Sequence, residues 1–191
     1  MNPIVRTGGS LLVIAAVAAA ALGGVNAATA DKIAERNAQT KQEAMQSVLP
    51  SASSFDTEVT VGAPIGEKDV LDTYSEGLDG SNTAGYAFSV TTSGFSSGLN
   101  LMIGIDKDGT VTGVKVVKHS ETPGLGANAE NVLSPQFPGK SGKLTVIKSG
   151  TAGESEINAI TGATITSNAV TTAVNDVQKY YEENLKGGTG K

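Results

Sequence analysis

Hydrophobic and polar positions fall along this chain in three successive regimes. The first is continuous. Leu11 to Leu22 reads LLVIAAVAAAAL, wholly apolar, within an uncharged stretch between Arg6 and Asp31. An uncharged run of this length can cross a bilayer core of roughly 30 Å at about 1.5 Å rise per residue. Its place at the extreme N-terminus argues against a buried soluble helix. Two membrane readings fit. Ala28-Thr29-Ala30 has the A-x-A pattern of a signal-peptide cleavage site. An uncleaved anchor with Arg6 on the cytoplasmic side is the favoured alternative. Either one places residues 31–191 outside the cytoplasm.

The second regime is a polar helix followed by alternation. Residues 31–49 are rich in helix formers, with a thin apolar face of Ile33, Ala44, Met45 and Val48, and Pro50 ends them. From 55 to 118 the period is two. Strands are expected at Phe55–Val61 and Val70–Ser75 around a turn at Gly62-Ala63-Pro64. A loop is expected over Gly77–Gly85, with further strands at Tyr86–Thr92, Leu99–Ile105 and Thr110–Lys118. Asp106-Lys107-Asp108-Gly109 reads as the hairpin turn between the last two. In the final strand Val111, Gly113, Lys115 and Val117 alternate with Thr112, Val114, Val116 and Lys118.

Residues 121–142 are irregular, with a short helix expected near Ala127–Leu133, and Leu144–Lys148 is another strand candidate. The third regime is helical. Over Ser167–Leu185 the side chains Ala169, Val170, Ala173, Val174, Val177, Tyr181 and Leu185 fall on one stripe. Thr166 or Ser167 is the expected N-cap. These elements predict an α+β fold: a twisted antiparallel sheet packed with helices, behind one N-terminal transmembrane helix. The organisation expected is an anchor at 1–30, a helical linker at 31–50, a folded domain at 51–186 and a flexible tail at 187–191.

Composition narrows the chemistry. The 191 residues fit one domain with appendages, and with aromatics at 4% the core must come from Val, Ile, Leu and Ala. Net charge is −5, and no basic patch follows a phosphate backbone, so nucleic acid is not expected as a partner. Cysteine is absent, which removes disulfides, thiolate catalysis and iron–sulfur ligation. A single histidine, His119, argues against a His-based metal site, and no metal is expected. No nucleophile–base pair and no nicotinamide-binding G-x-G-x-x-G motif is evident, so no catalytic residue is assigned.

Two segments carry candidate chemistry. His119-Ser120-Glu121-Thr122-Pro123-Gly124-Leu125-Gly126 has a φ-fixing proline and two permissive glycines. It reads either as an ordinary tight turn or as a site of close backbone approach. Thr161-Gly162-Ala163-Thr164-Ile165-Thr166 sets small residues and hydroxyls at the start of a helix. Unpaired N–H groups and the positive end of the macrodipole meet there and favour a phosphate. A hydroxyl-rich N-cap without ligand fits the same residues.

Taken together, HSETPGLG followed by TGATITSNAV resembles the FMN-binding domain shared by the G subunit of Rnf-type electron transport complexes and the C subunit of sodium-pumping NADH:quinone reductases. The likeness extends to the N-terminal anchor, to Gly94-Phe95-Ser96-Ser97-Gly98 and to LMIGIDKDGTVTGVKVV. Length favours the Rnf protein. In this family a flavin transferase attaches FMN through a phosphoester to a threonine in an S/T-G-A-T sequence, which implies Thr164 here. Thr166 is the competing hydroxyl. The motif often carries an acidic residue three positions ahead of its first S/T. Asn158 stands there, with Glu156 two residues earlier.

The resemblance implies a one-electron relay through covalent FMN, in a membrane complex passing electrons between reduced ferredoxin and NAD and coupled to cation translocation. Thr161, Gly162, Ala163, Thr164 and Thr166 would surround the phosphoester. Glu121, Thr122, Gly124, Leu125 and Gly126 would form another wall, with Glu121 accepting backbone hydrogen bonds and Leu125 packing on the ring. Expected partners are the other proteins of the complex, the flavin transferase and the inner membrane, with the flavin domain on the extracytoplasmic side. The alternatives are the C subunit of the quinone reductase, or a secreted module binding FMN or a small anion. His119 either borders the site or is structural, the latter being favoured.

Overall fold

The computed structural model describes residues 3–187, so the tail expected at 187–191 lies outside them apart from Gly187. The chain divides into two compact units, residues 1–41 and 42–191. A single helix, α1 (Pro3–Val48), runs through the whole stretch in which an anchor and a separate linker helix were expected. In the first unit Leu11, Leu12, Val13, Ile14, Val17, Leu22 and Val25 are all exposed, Leu22 to 72%. This stretch is long and apolar enough to cross a membrane. An apolar surface with nothing against it is what lipid would cover.

The second unit is built on an antiparallel sheet. Its strands are β1 (Ser54–Phe55), β2 (Val59–Pro64), β3 (Val70–Asp79), β4 (Asn82–Ser93), β5 (Ser97–Asp106) and β6 (Val111–Lys118). The order is β1-β3-β4-β5-β6, and β2 also pairs with β3. Two sequence expectations fail here. Gly62-Ala63-Pro64 is no turn; it lies in β2, where the pairing with β3 shifts register between Thr60 and Ala63. The loop expected over Gly77–Gly85 is mostly strand, because β3 and β4 stay paired from Gly77–Gly85 out to Asp79–Asn82. Glycine and asparagine weaken a strand locally, but a paired neighbour supplies the ladder bonds that override the propensity.

Alternating residues send each strand's side chains to two faces. Leu99, Leu101, Ile103 and Ile105 of β5 join Leu71, Phe88 and Val90 in the main core. There they meet Val170, Ala173, Val174, Val177 and Tyr181 of α3 (Thr164–Asn184). The strict alternation expected in the last strand breaks, since the β5–β6 register shifts between Gly104 and Ile105. Val111 therefore shares the main core with Val114.

The opposite face is paved with small residues and takes the end of α1. Ala44, Val48, Ala87 and Met102 form a second cluster. Gly104 and Gly113 sit opposite each other. A Cβ on Gly104 would overlap the Val48 carbonyl, and one on Gly113 would lie 2.8 Å from Val48 Cα. Thr112 Oγ1 donates to that same carbonyl, so the helix end rests on backbone.

The turn at Asp106–Gly109 forms as expected, with Asp106 Oδ1 accepting from the N–H groups of Asp108 and Thr110 at 2.9 Å each. Tyr181 Oη donates to the Lys107 carbonyl at 2.7 Å and ties α3 to this hairpin. The region after β6 holds a 3-10 turn, Gly126–Asn128, and the short helix α2 (Ala129–Val132). A parallel pair, β7 (Thr145–Ile147) with β8 (Glu156–Asn158), completes the unit. β8 was missed in the sequence because three residues show no periodicity.

One pair of carboxyl groups, buried Asp69 and half-buried Asp176, is expected to make folding pH-dependent. Asp69 is 1% exposed, and its Oδ2 meets no donor among the described residues unless Asp176 of α3 is protonated. Burial pushes the Asp176 carboxyl up to about 6, aided by its hydrogen bond to Asp69 and by that residue's charge, against a smaller opposing pull from Lys179. A raised carboxyl keeps its proton longer folded than unfolded, so its stabilisation is complete below the ordinary carboxylate range and is lost as pH rises through about 6. Thermal melts should therefore fall between pH 4.5 and pH 7. In Asp176→Asn that slope should flatten and Tm at pH 7 should rise, because the new amide donates to Asp69 without titrating. An unchanged slope would dismiss the pair as its source.

Candidate functional site

The two sequence segments converge on one cavity of about 370 Å³. Its lining is Phe95, Glu121, Thr122, Leu125, Gly126, Gly162, Ala163, Thr164, Ile165 and Thr166. Three chain regions supply them: the turn between β4 and β5, the loop after β6, and the approach to α3 with its first turn. Of the residues expected at the site, Thr161 and Gly124 are exposed and outside the lining. Phe95 and Ile165 are in it without having been expected. Phe95 lay within a glycine-flanked stretch, a signal read only as part of the resemblance. His119 is exposed and outside the lining.

The start of α3 explains the geometry. Gly162 holds φ +77°, which turns the chain into the helix, and Ala163 precedes the first helical residue, Thr164. No side chain caps this end. Neither Thr166 nor Ser167 is the N-cap; both are buried within the first turn. Ser167 Oγ accepts from the Ile160 N–H and donates to the Ala163 carbonyl, both at 3.0 Å, fastening the preceding loop from below. Thr164 is half-buried and faces the cavity. The first N–H groups of a helix have no intrahelical acceptors, so an anion held at Thr164 would sit at the positive end of the dipole.

The two hydroxyls are therefore unlike. Thr166 is 1% exposed, and its Oγ1 donates to Glu121 Oε2 at 2.8 Å. Glu121 is itself buried, and its Oε1 accepts from the Ser96 N–H at 2.9 Å. Glycines press on this carboxylate from two sides. A Cβ on Gly126 would overlap Oε2, and one on Gly94 would lie 2.6 Å from Oε1. Further along, Leu125 and Ala127 send their N–H groups to the Thr122 carbonyl at 3.1 and 3.3 Å, closing the turn. Asn158 lies in β8, where its backbone exchanges hydrogen bonds with the side chain of Gln136 at 2.8 and 3.2 Å.

Comparison with known proteins decides the family. Residues 94–179 match the FMN-binding domain, and residues 1–48 match the RnfG N-terminal region. The G subunit of the Na(+)-translocating ferredoxin:NAD(+) oxidoreductase complex of Acetobacterium woodii is 42% identical over 93% of this chain and 91% of its own. The chain belongs to the RnfG family, the G subunits of ion-translocating oxidoreductase complexes. Its counterpart in the ion-translocating oxidoreductase complex of Methanosarcina acetivorans is 37% identical over 90% of each chain. The quinone-reductase alternative is met by fold alone. The crystal structure of the C subunit of the Na(+)-translocating NADH-quinone reductase from Parabacteroides distasonis matches with a TM-score of 0.56 at 22% identity, over 78% of this chain and 94% of that one. The protein is thus an RnfG family member with an FMN-binding domain and, at its N-terminus, one helix long and apolar enough to cross a membrane. Every residue lining the cavity falls inside the FMN-binding match.

Proposed function

We propose that this protein is the flavin-bearing electron-transfer component of a ferredoxin:NAD(+) oxidoreductase complex of the Rnf type, with FMN joined by a phosphoester to Thr164. The carrying observation is the cavity within residues 94–179, with Thr164 in its wall at an uncapped helix end. The residues fit the group. Phe95, Leu125 and Ile165 offer apolar surface suited to an isoalloxazine ring, and the first turn of α3 offers N–H donors to a phosphate. FMN supplies the redox chemistry, taking up and releasing electrons one at a time. The chain's own residues hold and shield it.

In this reading the Thr164 hydroxyl oxygen forms the new P–O bond to the FMN phosphate as the phosphoanhydride bond of an activated flavin nucleotide, held by a flavin transferase, breaks. The nucleotide half of that donor leaves, and the transferase takes up the hydroxyl proton. Glu121 bars Thr166 from that role and brings the loop after β6 against α3. Asn158 replaces the acidic residue frequent in the transferase motif, so flavinylation here relies on the Thr161–Thr164 turn itself. Expression of the full chain with and without a flavin transferase tests the reading. Intact mass should rise by one esterified FMN only with the transferase, and equal masses in the two cultures would reject it.

The folded unit lies on the extracytoplasmic side in the same reading, since Arg6 precedes the uncharged span. Protease added outside spheroplasts should digest residues 42–191. Protection that is lost only when the inner membrane is lysed would reverse the orientation.

A further inference from the structure

We propose that Phe95 covers one face of the flavin ring and that Glu121 is the positioning residue that holds it there; this rests on the reading that FMN is attached at Thr164. Phe95 is the one aromatic side chain among the cavity's lining residues, and it is 73% exposed. The neighbouring lining residues Leu125 and Ile165 are 41% and 57% exposed. A phenyl ring this exposed at a turn buries little surface in the fold, whereas an aromatic face is suited to offset stacking on a flat ring.

The turn that carries Phe95 has an anchor independent of the ring. Ser96 gives its N–H to Glu121 Oε1, and Gly94, on the other side of Phe95, approaches the same oxygen so closely that a Cβ would lie 2.6 Å away. The second carboxylate oxygen takes the Thr166 hydroxyl at 2.8 Å. One buried carboxylate thus spans the Phe95 turn and the first turn of α3, which also carries Thr164. Burying a carboxylate is costly in desolvation, and an apolar side chain would fill this space at less cost. What an apolar side chain would lack is the pair of directed bonds that fixes Phe95 relative to Thr164.

The test uses the full chain flavinylated by co-expression with a flavin transferase. Iodide quenching of flavin fluorescence, normalised per bound flavin, measures how open the ring is, and the reduction potential is recorded alongside. Phe95→Ala should raise the quenching constant about threefold, the change expected from losing one stacking contact of ordinary strength. Phe95→Tyr should stay near the parent. Glu121→Ala should reach the Phe95→Ala value, and the double variant should go no higher. Glu121→Gln should recover most of the protection, since its amide can still accept from Ser96 and donate to Thr166. If Glu121→Ala does not fold, Ser96→Pro removes the N–H that donates to Oε1 and takes its place.

A purely structural Glu121 would lower Tm with the quenching constant unmoved, which overturns the positioning role. Additive effects in the double variant overturn it too. An unchanged constant in Phe95→Ala, with flavin bound, overturns the cover. A parent protein that carries no covalent flavin overturns the earlier reading and this one with it, and is told apart by the absorbance of the denatured protein.

Discussion

Thr164→Ala is expected to abolish covalent flavin, leaving in-gel fluorescence of the denatured protein at background, while Thr166→Ala retains it. The two hydroxyls are two residues apart in the same first helical turn, so the contrast comes from environment. Thr164 is half-buried in the cavity wall at a helix end that no side chain caps. Thr166 is 1% exposed with its proton committed to a buried carboxylate. To react, Thr166 would have to break a hydrogen bond to a charged group, worth about 1.5–3 kcal/mol, and emerge from the interior. Its removal should cost stability of that order, seen as a lower Tm, without moving the attachment point. Peptide mapping of the parent should find the flavin on the peptide's Thr164. Flavin persisting in Thr164→Ala would refute the assignment.

Gly126→Ala is expected to be more damaging than Gly124→Ala, although both glycines sit in one turn. Gly124 holds φ +79° with open space around it, so alanine there costs only backbone strain, about 1 kcal/mol. At Gly126 a Cβ would overlap Glu121 Oε2 and lie 2.7 Å from Thr166 Oγ1. The carboxylate cannot step aside without giving up both of its hydrogen bonds, to Ser96 and Thr166. A loss of about 3 kcal/mol follows from removing charge-assisted bonds inside the fold. Urea unfolding of the two variants decides the point. Equal midpoints would show that Glu121 has room to move and that the carboxylate clamp is not tight.

The site's two turns were legible in sequence as dense patterns of glycine, proline and hydroxyl residues, and resemblance alone joined them to a flavin. Which residues face the cavity was not legible. Thr161 and Gly124 belong to the motifs, yet they are exposed and lie outside the lining. Ile165 and Phe95 face the cavity but look unremarkable in sequence, one as a helical apolar residue and one as a loop aromatic. The misplaced N-cap has a similar origin. Thr166 and Ser167 have cap chemistry, but the Thr166 hydroxyl finds Glu121, 45 residues away, and the Ser167 hydroxyl binds the Ala163 carbonyl and the Ile160 N–H of the segment leading into the helix.

Local pattern alone determined the apolar span, the β-rich middle, the Asp106–Gly109 hairpin and the amphipathic face of α3. Each depends on side chains close together in the chain, where periodicity and turn chemistry act directly. Tertiary structure decided what depends on distant partners. It extended β3 and β4 through a stretch whose residues favour a loop, because each strand pairs with the other. It broke the alternation of β6 with a register shift that only pairing with β5 produces. It paired Asp69 with Asp176 across more than a hundred residues of sequence, and it set Glu121 between Ser96 and Thr166. A carboxylate 45 residues from the hydroxyl it binds has no local signal to announce it, since the bond exists only when the sheet and α3 close on each other.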